Sequence, residues 1–165
     1  MSYWLFKSEP DSFSIDDLMA CPEQTEPWDG IRNYQARNFL RDQVKLGDQL
    51  FFYHSSCKQV GIVGVATVVK EAYPDPSQFN PDSKYFDPKS SPDNPRWVMV
   101  DVRFQEKFEH ILTLQSIKAN PQITEIGLVK KGHRLSIMPV TDTEWAQLYQ
   151  MVKSQMVKKV KKIAG

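Results

Sequence analysis

The stretch QLFFYHSSCKQVGIVGVATVV, residues 49–69, decides the fold. It contains two runs rich in aromatic and β-branched residues, Gln49–His54 and Gly61–Val69, separated by a mostly polar loop. Residues of these types favour extended structure, and two such runs joined by a short loop predict a hairpin of buried strands. Gly64 stands inside the second run, where it predicts a β-bulge or the corner of a barrel.

The rest of the chain adds short strands and helices to this hairpin. Further strands are predicted at residues 3–6, 96–104 and 134–138. Helices are predicted at residues 15–20, 34–42 and 114–119. A longer C-terminal helix begins at Thr141, which forms a capping-box pattern with Glu144, and its apolar residues recur at helical spacing as far as Met156. Five or six mostly antiparallel strands with short inserted helices indicate an α+β, mainly β protein built on a small barrel.

Two segments of the chain lack these patterns. Residues 22–33 are rich in proline, glycine and acidic residues, and we expect a loop there. Residues 74–95 hold six of the 11 prolines, a density that excludes a helix or a central strand. The proline-rich segment is interpreted either as a rigid flap packed on the barrel or as a wall beside a binding pocket.

Length and charge limit the classes of function. A chain of 165 residues and 19.1 kDa, 41% hydrophobic and 25% charged, is typical of one globular domain. The net charge is +1, but five of the 21 basic residues are lysines after residue 152, which leaves 16 basic against 20 acidic residues and a charge of −4 before them. A body of that sign excludes binding to phosphate backbones by bulk charge. Recognition would need a shaped pocket and a few placed cations.

No pattern predicts a metal, a cofactor or a membrane segment. The two cysteines form no CxxC pair, the three histidines show no metal-binding spacing, and no glycine-rich phosphate loop is present. The first residues do not have the composition of a signal peptide, and the apolar runs are too short to cross a bilayer. We therefore expect an intracellular protein, cytoplasmic in a bacterium or nuclear in a eukaryote.

Catalytic patterns are weak, whereas the aromatic residues are informative. His54 precedes two serines and a cysteine, but sequence adjacency is not triad geometry, and a strand-end histidine bonded to backbone is the favoured interpretation. Trp28 lies in a polar loop, Trp97 on the polar face of its strand and Tyr53 at a strand end. Aromatic rings beside hydrogen-bonding groups are what a pocket for a flat, unstacked base requires, although each ring is more often part of a core.

Seven blocks of the sequence closely resemble the EVE-domain family: YWLFKSEP (3–10), WDGIRNYQARNFL (28–40), GDQLFFYHS (47–55), GIVGVATVVKEAYPDPSQF (61–79), SKYFDPKSSP (83–92), PRWVMVDV (95–102) and RLSIMPV (134–140). The resemblance implies a PUA-like barrel over residues 1–150. Residues 151–165 would then be the end of the C-terminal helix and a lysine-rich tail. It also implies a reader of modified bases in nucleic acid.

The resemblance assigns roles to individual residues. Lys7-Ser8 and Trp28 resemble elements of the base pocket in related YTH readers. Stacking or wall roles are implied for Trp28, Tyr53 and Trp97. Hydrogen bonds to the base edge are implied for Ser8, Asn33, His54 and Ser55, with the Ile31 backbone nearby. Contacts to phosphate or a carbonyl are implied for Lys7, Arg32 and Arg134. Structural alternatives stay open: Asn33 as a helix cap, Lys7 as a solvated strand end, and Arg134 as the ion-pair partner of an acid such as Asp101.

The sequence therefore predicts a non-catalytic, monomeric module that binds DNA or RNA through one modified cytosine or adenine. One alternative is an ASCH-like enzyme that acts on a nucleotide or small molecule, with His54, Ser55 and Lys7 as its candidate residues. Another is a protein-interaction module that uses the amphipathic C-terminal helix.

Overall fold

A computed structural model describes the backbone of residues 1–164 and the side chains of residues 1–155. The strands are β1 (Tyr3–Ser8), β2 (Thr25–Pro27), β3 (Gln49–His54), β4 (Gly61–Pro74), β5 (Val98–Thr113) and β6 (Ile137–Val140). The α-helices are α1 (Ile15–Ala20), α2 (Tyr34–Asp42), α3 (Leu114–Ala119) and α4 (Asp142–Ala164). Short 3₁₀ turns occupy Pro22–Gln24, Pro76–Phe79 and Gly127–Val129.

All six strands belong to one sheet in the order β2-β5-β4-β3-β1-β6. The pair β1/β3 is parallel and the other pairs are antiparallel. This arrangement confirms the predicted α+β class with short inserted helices. Within the described residues the edge strands β2 and β6 are not paired with each other, so the predicted barrel is not strictly closed.

The central strands are buried on both faces of the sheet. In β3, Leu50 and Phe52 belong to a cluster that includes residues of α1 and α2. Phe51 and Tyr53 belong to a second cluster that includes residues of α3 and α4. Burying one such side chain contributes about 1.5–3 kcal/mol to stability. Because successive side chains of a strand point to opposite faces of the sheet, β3 stabilises the packing on both faces. The apolar run at residues 50–53 is continuous for this reason.

The structure confirms the predicted helices 15–20, 34–42 and 114–119. Each begins directly after a residue whose side chain caps its first turn. Ser14 and Asp17 form a reciprocal capping box at α1. The side chain of Asn33 accepts a hydrogen bond from the Ala36 N–H at α2, and that of Thr113 accepts one from the Ser116 N–H at α3. Each cap satisfies a backbone donor that the first turn leaves without a partner.

Gly64 lies at the predicted irregularity of the hairpin. The registers of β4 with β5 and of β3 with β4 both shift beside it. A Cβ atom at Gly64 would collide with the Glu106 carbonyl oxygen and the side chain of Ile15. The missing side chain therefore lets β5 and α1 approach β4 closely.

The strand boundaries differ from those predicted. β5 continues nine residues beyond the predicted end at Phe104, because β4 pairs with it as far as Thr113 through several register shifts. The last strand is Ile137–Val140 rather than residues 134–138, since its pairing with β1 begins at Ile137. The loop predicted at residues 22–33 contains the short strand β2, which pairs with β5.

The capping box predicted at α4 is only half formed. Thr141 Oγ1 accepts a hydrogen bond from the Glu144 N–H, as expected. The Glu144 carboxylate instead accepts hydrogen bonds from the N–H groups of residues 124, 125 and 126 at 2.8, 2.9 and 2.7 Å. Glu144 is 3% exposed, and it fixes the loop before β6 to the start of α4. Trp145, Leu148, Tyr149 and Val152 confirm the helical spacing, whereas Met156 and the later lysine side chains lie outside the described residues.

We expect Glu144→Ala to lower the free energy of unfolding by about 2–4 kcal/mol, because three N–H groups lose a charged acceptor and one of them is fully buried. Urea denaturation measures the loss. Glu125→Ala, which removes an exposed carboxylate from the same loop, serves as the matched control and is expected within about 0.5 kcal/mol of the wild type. Equal losses in the two variants would contradict the role of Glu144.

Candidate functional site

A cleft of about 520 Å³ opens between the end of β1, the loop that follows β2 and the proline-rich segment. Its apolar lining comes mainly from Phe13, Trp28, Ile31 and Tyr85. Its charged lining comes from Lys7, Glu9, Glu26, Asp29 and Lys84. Three carboxylates against two ammonium groups make this cleft, called the Trp28 cleft below, slightly acidic.

Trp28 forms the rigid floor of the cleft. Its ring is 7% exposed and packs edge-on against Phe52 at 5.3 Å between ring centroids. It also contacts Phe6 and Phe13 at 5.5 and 6.2 Å. The Trp28 N–H donates to the Val100 carbonyl at 2.7 Å, so backbone and ring are both fixed. The cleft is therefore preformed on the core rather than built on a loose loop.

The buried carboxylate of Asp75 joins the Trp28 loop to the proline-rich segment. Asp75 accepts hydrogen bonds from the Gly30 N–H at 2.8 Å and from the N–H and hydroxyl of Ser77 at 2.9 and 2.6 Å. Arg32 forms an ion pair with it at 3.2 Å. Burial alone would raise the pKa of Asp75, but the hydrogen bonds from Ser77 and Gly30 and the Arg32 charge hold it below the usual value.

Gly30 and Tyr85 shape one wall of the cleft. Gly30 has a φ of +80°, and a Cβ there would lie 2.6 Å from Cζ of Tyr85. Both the backbone conformation and the close approach of the ring require glycine. The Arg32 guanidinium donates to the Tyr85 carbonyl at 2.9 Å and lies 5.4 Å from the centroid of its ring. The Tyr85 ring is thus held between Gly30 and Arg32.

Asp29 lines the cleft, and its carboxyl group has a pKa above the usual value. Burial of the carboxyl group raises its pKa, and the nearby charge of Asp75 raises it further. A carboxylate in this state gains from a hydrogen-bond donor brought by a ligand. Such a site can accept a flat ring whose edge carries an amino group.

Several polar groups predicted for edge reading are engaged in local structure. Ser8 lines the cleft, but its hydroxyl donates to the Phe13 carbonyl at 2.5 Å. Nε2 of His54 accepts a hydrogen bond from the Ile15 N–H at 3.1 Å, so the lone pair that a general base would use is occupied. The Ser55 N–H donates to the Ser8 carbonyl, and Asn33 caps α2.

The structure does not bring the predicted site residues into one pocket. Ser8, Trp28, Ile31 and Lys7 line the Trp28 cleft. Tyr53 lies on the opposite face of the sheet, because it follows Phe52 in β3 and successive strand residues alternate. It lines a second cleft of about 800 Å³, in which Lys7 takes part as well.

Trp97, Arg32 and Arg134 also differ from the expected placement. Trp97 is 5% exposed and packs against Tyr34 with the two rings tilted by 30°. Its Nε1 donates to Asp87 at 2.8 Å, which anchors the proline-rich segment. The Arg32 guanidinium forms an ion pair with Asp75 and donates a hydrogen bond to the Tyr85 carbonyl. Arg134 is exposed, and among the described side chains it forms no ion pair with Asp101, which accepts a hydrogen bond from Tyr73. The base-contacting roles assigned to these residues stay predictions.

The lining residues of the Trp28 cleft that sequence reasoning missed include Phe13, Asp29, Lys84 and Tyr85. Asp29 is adjacent to Trp28, and Lys84 and Tyr85 lie in the block at residues 83–92. Proximity to a predicted site residue could have indicated Asp29. Lys84 and Tyr85 belong to the proline-rich segment, for which a wall beside a pocket was one of the two interpretations, whereas Phe13 is brought to the cleft by tertiary packing.

We expect His54 to make stability depend on pH below neutrality. Burial, partly offset by the Asp16 charge, lowers the pKa of His54 from its usual 6.5, and the bond from Ile15 needs the neutral ring. The unfolded chain therefore binds this proton more readily, so the contribution is complete above pH 6.5 and is lost as the pH falls below it. Urea denaturation at about pH 7.5 and about pH 5.5 should show a smaller change for His54→Gln than for the wild type. An identical change in both proteins would contradict this role.

The described residues contain neither a metal-binding cluster nor a membrane-spanning helix. No three histidine, cysteine, aspartate or glutamate side chains among them come together as ligands for a metal ion. None of the helices in this part of the chain combines the length and the apolar character needed to cross a bilayer.

The comparisons with known proteins agree on one family. The model of the EVE domain matches residues 2–151. Thymocyte nuclear protein 1 of Homo sapiens is 48% identical over 87% of this chain and 71% of its own length. A crystal structure of a Pseudomonas syringae protein, 48% identical, has a TM-score of 0.87 and covers 92% of this chain and 99% of that chain. The crystal structure of human THYN1 protein in complex with DNA containing 5-methylcytosine, 44% identical, has a TM-score of 0.87 and covers 92% and 98%. These matches confirm the resemblance found in the sequence blocks, and the chain belongs to the EVE-domain family.

Proposed function

We propose that this chain is a nucleic-acid-binding module that holds one modified base, a modified cytosine or adenine, in the Trp28 cleft. The observation that carries the proposal is a preformed cleft with aromatic and acidic lining, in a chain of the same family and fold as a human protein crystallised with DNA containing 5-methylcytosine.

The lining of the cleft fits the chemistry of such a base. Phe13, Trp28 and Tyr85 offer apolar contact to the ring and to an added methyl group. Asp29 offers an acceptor to the exocyclic amino group that cytosine and adenine share. A buried methyl group contributes about 0.8 kcal/mol, and a shaped apolar pocket discriminates by about 1–3 kcal/mol. Affinity for an isolated base is therefore modest, and contacts to the rest of the strand supply the remainder.

Residues away from the Trp28 cleft take supporting roles in this proposal. Arg32 positions Gly30 through Asp75, Asn33 caps α2, and Trp97 anchors the proline-rich segment. The name of the vertebrate relatives describes them as nuclear. For this chain a bacterial cytoplasm or a eukaryotic nucleus stays a prediction, and so does the monomeric state.

Trp28→Phe tests the floor of the cleft. We expect the dissociation constant for an oligonucleotide with the preferred modified base to rise about fivefold to tenfold, because the smaller ring loses contact with the base. The ratio between modified and plain oligonucleotides should fall with it. Fluorescence anisotropy with DNA and RNA that carry 5-methylcytosine, methyladenine or no modification measures both quantities.

Trp145→Phe is the matched control, since Trp145 is 8% exposed and packs in the cluster on the other face of the sheet. It should lower thermal stability to a similar extent and leave the ratio unchanged. If no modification improves binding to the wild type, the proposal is wrong. Turnover of a modified nucleoside that His54→Ala abolishes would instead favour the ASCH-like enzyme.

Asp29→Ala tests recognition of the amino group. We expect about a tenfold loss of affinity for oligonucleotides that present cytosine or adenine derivatives, because a hydrogen bond to a charged acceptor contributes about 1.5–3 kcal/mol. Binding to a thymine or uracil oligonucleotide should not weaken. Glu9→Ala removes an exposed carboxylate from the rim and serves as the control. The same loss for every base would contradict the assigned role.

A further inference from the structure

The second cleft, of about 800 Å³, has a strongly positive lining. Four lysines contribute to it: Lys7 from β1, Lys118 from α3, and Lys130 and Lys131 from the loop before β6. No aspartate or glutamate is among the residues that line it. We call it the lysine cleft.

None of the four ammonium groups lies within 4.0 Å of a carboxylate among the described side chains. Elsewhere in the molecule Lys107 is paired with Asp16 at 2.7 Å. Burial lowers the pKa of Lys7. The pKa of His133, which also lines the lysine cleft, is lowered by burial and then by the charges of Lys7 and Lys130. The contribution of Lys7 and Lys130 to the lowered His133 pKa agrees with the positive lining of the cleft.

The loop that carries two of these lysines is held in place. Glu144 accepts the backbone N–H groups of residues 124–126, directly before the 3₁₀ turn Gly127–Val129. A Cβ at Gly127 would collide with the His133 ring, so the start of the turn packs against the residue that follows the two lysines and Gly132. A site fixed in this way loses little conformational entropy when it binds an anion.

Lys7 connects the two clefts, since it lines both. The Trp28 cleft carries the carboxylates of Glu9, Glu26 and Asp29, which repel phosphate groups. Lys7 and Lys84 offset two of these charges, but the cleft stays slightly acidic, so the phosphates of a strand that places one base there are better held by a surface of the opposite sign. Past Lys7, that surface is the lysine cleft.

We propose that the lysine cleft binds the phosphate groups of the nucleic-acid strand that flank the base held in the Trp28 cleft. This inference rests on the proposed function and adds a second binding surface to it, with Lys118, Lys130 and Lys131 as phosphate contacts. Contacts to phosphate position the strand and carry no sequence information, so they act on affinity and not on the choice of base.

The test compares two triple variants of equal charge in the full chain. Lys118→Gln/Lys130→Gln/Lys131→Gln removes three charges from the lysine cleft. Lys45→Gln/Lys70→Gln/Lys89→Gln removes three from exposed positions that line neither cleft. Affinity for a single-stranded oligonucleotide with one 5-methylcytosine is measured from about 50 to about 200 mM salt, together with the plain oligonucleotide.

We expect the first variant to bind the oligonucleotide at least tenfold more weakly than the wild type at low salt. The slope of log affinity against log salt should fall by about 2, roughly 0.7 per phosphate contact, with an unchanged ratio between modified and plain strands. The control triple should keep most of the wild-type slope. Equal flattening in both triples, or an unchanged slope in the first, would overturn the proposal.

Two further outcomes separate the sources of the signal. If the wild type shows no preference for any modified base, the proposed function fails, whereas the slope difference between the triples still tests the lysine cleft. Sodium pyrophosphate is the probe for free phosphate compounds. No displacement of the oligonucleotide at micromolar pyrophosphate supports a site for strand phosphates, and displacement at that concentration overturns it in favour of a site for free polyphosphates.

Discussion

Burial of the sheet on both faces is the constraint on which the rest of the structure depends. A strand covered on both sides sends neighbouring residues into different layers, so Phe52 supports the Trp28 cleft while Tyr53 lines the lysine cleft. The parallel pairing of β1 with β3 aligns their carboxyl ends, where Lys7 is opposite Tyr53 and Ser8 opposite His54. Two clefts therefore meet at one edge of the sheet, on either side of it, with the end of β1 between them.

The Trp28 cleft also depends on one buried anion. Asp75 draws together a glycine N–H, a serine and the Arg32 guanidinium, and this network decides how the Trp28 loop meets the proline-rich segment. Prolines limit the conformations of that segment, and Gln78 and Asp87 hold it through bonds to the backbone and ring of Trp97. The Asp75 network and the anchored proline-rich segment together fix the wall of the cleft, so the cleft needs little rearrangement to receive a ligand. This favours recognition by shape over induced closure.

Local chemistry explains which predictions were confirmed. The three short helices were predicted with the correct bounds, and Ser14, Asn33 and Thr113 each supply a side-chain acceptor at the first turn. The extension of β5 was not, because its later residues are mostly polar and partner pairing with β4 decides its length. Trp28 was identified from its unusual place in a polar loop and from the family resemblance. The separation of Tyr53 and Trp97 from it follows from strand alternation and from the path of a loop, which the sequence pattern leaves open.

A net charge near zero is compatible with nucleic-acid binding when the charges are local. Screening in physiological salt limits the reach of an exposed charge to about 8 Å, so a ligand responds to the groups of one cleft rather than to the total of +1. The total hides this local difference: the Trp28 cleft is slightly acidic, whereas the lysine cleft is lined by four lysines and no carboxylate. A slightly acidic pocket disfavours backbone phosphates and offers acceptors to amino groups, which favours an extruded base over a strand lying along the surface. The opposite signs on the two faces of the sheet thus provide orientation as well as attraction.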